Sequence, residues 1–175
     1  MFAFSFFSSG LNTADIARLR YSNIVDNELE INREKTKREQ VSERKIHIPV
    51  TKSLKAIIDK NGNKVIGDSF IFPILRDQQT EQQQYLKTKL FTKRLNKYIR
   101  QIASAVGIKD RISSYSARHS WATIAKNSGR SVEFIGEQLG HASIATTMRY
   151  LSSFEKSARV EAAEEMETLI NTSAS

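Results

Sequence analysis

The sequence predicts a mainly α-helical fold with one small antiparallel β-sheet, an α+β domain. Three observations carry that prediction. Apolar residues recur at helical spacing over most of the chain after Thr51. Alternation with period two is confined to Leu29-Ile31 and Ile46-Ile48, on either side of a very polar stretch. There is no internal repeat, and 175 residues favour one domain with a real core.

The elements follow in chain order. Residues 2–8 form an apolar segment, a core helix or strand, that ends near Ser8-Ser9-Gly10. No positive charge precedes it and it is too short for a secretion signal, so the chain is expected to begin inside a longer protein, with Met1 native or added. Asn12 is placed to cap a short helix, with Asp15 three positions on and Ile16 and Leu19 on its buried side. Glu28 to Val50 reads as an extended β-hairpin whose long charged tip runs from Arg33 to Arg44. Thr51 opens a helix through Ile58 that stops near Asn61-Gly62. Phe70-Ile71-Phe72-Pro73 is a short apolar segment, and Gln78 to Gln84 reads as a Gln-rich linker. The long amphipathic helix that follows carries Leu86, Leu90, Leu95, Ile99, Ile102 and Val106 on one side, and Gly107 is placed to end it. Ser114 or Ser116 opens the next helix, which runs to Asn127-Ser128-Gly129. Ser131 opens another, ending at Leu139-Gly140; Ser143 opens one through Tyr150; the last covers Glu155 to Ile170.

Charge and composition narrow the function classes. Lys and Arg total 27 against 19 Asp and Glu, a net of +8. Such a surplus suits an acidic partner, nucleic acid first, although it also suits a solvated surface. The acids gather at the end: Glu155 to Ile170 holds five acids and two bases. Lys87, Lys89, Lys93, Arg94, Lys97 and Arg100 line the outer face of the long helix, where solvation and phosphate contact weigh equally. Cysteine is absent, which excludes disulfides, zinc ribbons and thiol nucleophiles. That composition is compatible with a reducing, cytoplasmic setting. No apolar run reaches the roughly 18 residues a membrane span needs. His47, His119 and His141 have no close metal-ligand spacing.

The densest chemical signal lies between Tyr115 and Tyr150. It reads Tyr-Ser-Ala-Arg-His-Ser-Trp from Tyr115, then Leu139-Gly140-His141, then Tyr150 nine residues after that histidine. Each residue has a plain structural reading. Arg118 can be a helix-surface arginine, His141 can follow a glycine C-cap, and Tyr150 can be a packing tyrosine. His119 and Trp121 are expected to pack or brace rather than react.

Taken jointly, Arg118-His119, Leu139-Gly140-His141 and Tyr150 resemble the catalytic domain of the tyrosine recombinases, the phage-integrase family. The resemblance extends from Gly10 to the last helix. It implies that residues 1–175 are a catalytic domain, with an upstream DNA-binding domain outside this chain. It implies site-specific DNA recombination or integration through a covalent 3′-phosphotyrosyl intermediate, on double-stranded DNA, as in mobile elements. Tyr150 is then the nucleophile. Arg118 meets the charge on the nonbridging phosphate oxygens with paired hydrogen bonds. His141 donates to the same phosphate, and Lys35, at the hairpin position of the family lysine and with Lys37 as a near neighbour, protonates the 5′ leaving oxygen. The family's mechanism uses no metal and no cofactor, and no small-molecule substrate is implied.

Two positions depart from the pattern. The family arginine after Gly-Leu is Asn12 here, a short neutral side chain. Arg33 and Arg38 flank Lys35; Arg38 is the candidate substitute, and the reading that both meet solvent or DNA backbone is slightly preferred to it. The family histidine of His-x-x-Arg is Tyr115. A phenol, with a reference pKa of about 10, donates a hydrogen bond but is a far weaker base than imidazole. Tyr115 is therefore expected to position the phosphate and not to act as a base.

Three other readings stand beside the recombinase. A type IB topoisomerase shares the chemistry. A non-catalytic helix-turn-helix module would use Ser131 to Tyr150, with Thr146, Thr147 and Arg149 facing the major groove. A degenerate recombinase would act only as an assembly partner. For oligomer formation on DNA, the acidic C-terminal segment offers Val160, Ala163, Met166 and Ile170 along one side, which can equally fold back on its own domain.

Overall fold

A computed structural model describes residues 1–32, 45–152, 160, 163–164 and 166–167. The predicted class holds: the described residues are mostly helical with one three-stranded antiparallel sheet. Helix α1 spans Phe2–Phe7 and α2 spans Thr13–Arg18. Asn12 caps α2 as its position predicts, its side-chain oxygen accepting from the Ala14 and Asp15 amides at 2.9 Å each.

A strand absent from the sequence-based reading follows. Ile24–Val25 (β1) pairs with Glu28–Ile31 (β2), which pairs with Ile46–Pro49 (β3). The β1–β2 turn is Asp26-Asn27, both at positive φ (48° and 63°). That two-residue turn geometry matches the twist of paired strands, and Asp and Asn are the non-glycine residues that tolerate it best. Leu29, Ile31, Ile46 and Ile48 all point inward, as their period-two alternation requires. The hairpin tip, with Arg33, Lys35 and Arg38, lies outside the described residues.

Helix α3 spans Lys52–Asn61, capped by Thr51. Helix α4 spans Glu81–Ala105 and begins inside the expected Gln-rich linker. The reason is local: Thr80 and Gln83 form a capping box, so the glutamines become the first helical turn. The apolar side expected of α4 is also corrected. Ile99 is buried and Leu95 half-buried, but Leu86, Leu90, Ile102 and Val106 are exposed. At 3.6 residues per turn, Leu86 and Leu90 lie about 140–180° around the helix from Leu95 and Ile99, so the series does not mark one face. The inward face carries Thr88, Thr92, Asn96, Ile99 and Ala103. Small and polar residues there let α4 approach its neighbours closely: Thr92 meets Thr13 of α2 at 2.8 Å, and Asn96 accepts from the Ser114 amide at 2.7 Å.

Helix α5 spans Ser114–Asn127. Its N-cap is Ser113, not Ser114 or Ser116; Ser116 completes the capping box. Helix α6 spans Val132–Gln138, capped by Ser131, and residues 144–152 are helical again. Of the predicted last helix, residues 160, 163–164 and 166–167 are helical and exposed, and the remainder lies outside the described residues. No helix among the described residues is long and apolar enough to cross a membrane.

Two cores support these elements. The larger joins α1, α2, the sheet and α3, with Phe4 edge-on to Phe72 at 4.9 Å. The smaller joins Ala122, Ala125, Ile135, Leu139 and Leu151, with Trp121, Val132 and Tyr150 packed against it. This second core braces α5, α6 and segment 144–152 from beneath, and those three elements carry the motif residues.

Candidate active site

Tyr115, Arg118 and His119 share one face of α5, because residues three and four apart on a helix are neighbours. The tight turn after α6 brings His141 against that face, and segment 144–152 returns Tyr150 to it. Four of the residues singled out in the sequence therefore converge: Tyr115, Arg118, His141 and Tyr150. Lys35 and Arg38 lie outside the described residues. The described base of their hairpin is tied to α6, where Gln138 Nε2 donates to the His47 carbonyl at 3.3 Å.

Arg118 is buried, with 4% of its surface exposed. A guanidinium in such a place needs acceptors for its fixed donors. Its Nη1 donates to the Gly10 carbonyl at 3.0 Å and its Nη2 to the Leu139 carbonyl at 2.6 Å. Gly10 is specifically required: its φ is +71°, and a Cβ there would stand 2.8 Å from Arg118 Cα. A helix-surface arginine is thus the reading that burial rules out.

His141 Nε2 lies 3.3 Å from Arg118 Nη2, and its Nδ1 lies 3.0 Å from Thr147 Oγ1. Arginine only donates, so Nε2 is the acceptor and Nδ1 carries the proton given to Thr147. The Thr147 hydroxyl in turn reaches the Ser143 carbonyl at 3.5 Å. Thr147 is fully buried, packed on Gly136, so it cannot face a DNA groove as the helix-turn-helix reading required. Arg149 is exposed, and Thr146 lines the cleft in front of Arg118.

Tyr150 sits within a cage of rings. His119 stacks on it with centroids 5.3 Å apart and planes at 13°; His141 and Tyr115 meet it edge-on at 5.5 and 6.3 Å. The phenol oxygen lies 3.3 Å from His119 Nδ1. Burial, and next the neighbouring Tyr115 phenol, push the Tyr150 phenol well above its ordinary value, while Arg118 pulls it back in part. His119 moves down, first by burial and then by the Arg118 charge. Bracing was expected of His119; direct contact with the Tyr150 oxygen was not. No local spacing signals it, because Tyr150 stands 31 residues after His119.

In front of Arg118 and His141 opens a cleft of about 1100 Å³ between α2, α4 and α5. Arg18, Lys89, Lys93 and Arg100 line it, along with Asn12. The basic row on α4 is thus divided: Lys89, Lys93 and Arg100 turn to the cleft. Asn12 is occupied as a cap, and its amide also donates to Asp15 Oδ2 at 2.6 Å. Arg18 was not anticipated; it stands one turn after Ala14 on α2, with Nη1 3.5 Å from the Ala14 carbonyl.

The family model described as the phage integrase family matches residues 4–157. Among solved structures, the crystal structure of XerA recombinase aligns with a TM-score of 0.56 at 18% identity, covering 83% of this chain and 50% of that one. The chain therefore spans about half the length of that protein, and the likeness is one of fold. No curated protein matches the chain.

Proposed function

This chain belongs to the phage integrase family, and from that premise we propose that it cuts and rejoins double-stranded DNA through a 3′-phosphotyrosyl bond to Tyr150. The observation that carries the proposal is the meeting of Tyr150 with His141 and Tyr115, which line one basic cleft together with buried Arg118. In this reading a phosphate enters the cleft in front of Arg118, whose planar donors meet the charge that develops on the nonbridging oxygens. Tyr115 orients the same phosphate, and His141, with Nε2 against Arg118 Nη2, holds the guanidinium that meets it. Tyr150 attacks phosphorus, and the 5′ oxygen leaves with a proton from Lys35. The bond energy is conserved in the protein–DNA link, so rejoining needs no ATP.

The same reading makes residues 1–175 the catalytic domain of a recombinase or integrase of a mobile element, acting in the cytoplasm. It would oligomerise on DNA through the C-terminal segment, and alone it would bind DNA weakly with strong salt dependence. A second reading, an inactive assembly partner, draws support from Asn12, which serves as a helix cap where the family has an arginine.

The test is covalent capture on duplexes of randomised sequence that carry a 5′-bridging phosphorothiolate. Adduct resistant to detergent, and lost in Tyr150→Phe, is expected. DNA binding with no adduct, or an adduct that survives Tyr150→Phe, refutes the proposal.

A further inference from the structure

Tyr150 must lose a proton to attack phosphorus, and its surroundings oppose that loss. The family's histidine position, three residues before Arg118, is here Tyr115, and a phenol is a far weaker base than imidazole. One imidazole nitrogen does lie against the Tyr150 oxygen: His119 Nδ1, at 3.3 Å. We propose that His119 is the general base that accepts the Tyr150 proton. The inference rests on Tyr150 being the nucleophile.

The geometry fixes the arrangement. Nearly parallel rings, at 13° and 5.3 Å, hold the imidazole beside the phenol. Tyr115 closes the other side of His119, edge-on at 4.5 Å and 80°, so the ring has little room to turn away. Among the described residues, the titratable and charged groups around His119 are Tyr115 and Arg118 of α5 and Tyr150 of segment 144–152, with His141 beyond Tyr150. Burial and the Arg118 charge both keep His119 neutral, and a neutral ring offers one nitrogen as acceptor. Before the DNA binds, the same charge discourages proton uptake. A bound phosphate offsets Arg118, so the imidazolium becomes tolerable when the phosphate is in place.

In cleavage, the Tyr150 Oη–H proton passes to His119 Nδ1 as an Oη lone pair forms the bond to phosphorus. The bond from phosphorus to the 5′ oxygen breaks, its electron pair stays on that oxygen, and a general acid protonates it. In rejoining, the 5′ hydroxyl gives its proton back to that general acid as its oxygen bonds to phosphorus, the bond from phosphorus to Oη breaks, and His119 returns its proton to Oη.

Two measurements test the assignment. The first needs no DNA: nitrogen NMR of the imidazole in the whole chain. Nδ1 of His119 is expected to be the unprotonated nitrogen at neutral pH; a proton resident on Nδ1 overturns the proposal. The second is single-turnover adduct formation on the phosphorothiolate duplex, where the leaving group needs no acid. His119→Gln is expected to slow it roughly 10²–10⁴-fold, with DNA affinity unchanged. Wild type should show an acid limb that His119→Gln lacks, and free imidazole should accelerate His119→Ala. A rate for His119→Gln within threefold of wild type with the same pH profile overturns the proposal while leaving Tyr150 standing. An adduct in Tyr150→Phe refutes the nucleophile itself.

Discussion

Gly136→Ala tests the packing that holds His141. In an exposed helix interior this change gains about 1 kcal/mol. Here the new Cβ would stand 2.5 Å from Thr147 Oγ1 and 3.5 Å from its Cβ. Thr147 is fully buried and β-branched, so its side chain cannot swing aside at little cost. Overpacking of this kind costs about 1–3 kcal/mol. Displacing Oγ1 also weakens its hydrogen bond to His141 Nδ1, worth about 1 kcal/mol. The net expectation is a loss of roughly 1–3 kcal/mol, which lowers the melting temperature by about 2–4 °C for each kcal/mol in a chain of this size. Urea denaturation of Gly136→Ala, Thr147→Ala and the double variant measures it. Removing Oγ1 vacates the space that the added methyl needs, so the double variant should be more stable than the sum of the singles by about 1 kcal/mol. A Gly136→Ala protein as stable as wild type, or an additive double variant, refutes the argument.

Three further outcomes follow from the same geometry. Gly10→Ala should destabilise the chain by more than about 2 kcal/mol in urea. It adds a left-handed backbone penalty of about 1–2 kcal/mol to a contact against Arg118 Cα, which cannot swing away as a side-chain tip can. Stability should also depend on His119. Its folded-state pKa is lowered, so the unfolded chain takes up the proton first as pH falls. The contribution is full above the ordinary histidine value of about 6.5 and is lost as pH drops below it, and unfolding of His119→Gln at pH 5 and pH 8 should show a flatter dependence. Replacing Lys89, Lys93 and Arg100 by Ala should reduce the slope of log affinity for DNA against log salt by about 0.9 for each phosphate contact removed, and an unchanged slope would mark them as solvated.

Much of the site was legible because it is encoded at short range. Arg118, His141 and Tyr150 stand out by spacing, and the chain supplies their second core from the same stretch, Tyr115 to Leu151. The basic cleft was only half legible. Helical spacing put Lys89, Lys93 and Arg100 on the polar side of α4, but Arg18 comes from a helix some 70 residues earlier in the chain. No local pattern links two surfaces that distant.

The amino-acid order by itself determined the local elements. Asn12, Thr51 and Ser131 satisfy helix-end amides within a turn, and Leu29, Ile31, Ile46 and Ile48 alternate toward one face. Both signals act between residues a few positions apart, so they survive in the sequence. The tertiary structure alone decided which face α4 buries. It turned Thr88, Thr92 and Asn96 inward while leaving Leu86 and Leu90 exposed, because the neighbours of α4 meet it through hydrogen bonds and close approach. It likewise set Gly10 under Arg118, Gly136 under Thr147 and His119 against Tyr150. Those contacts depend on shape at distances of a few ångströms between elements remote in sequence, and only the packed chain specifies them.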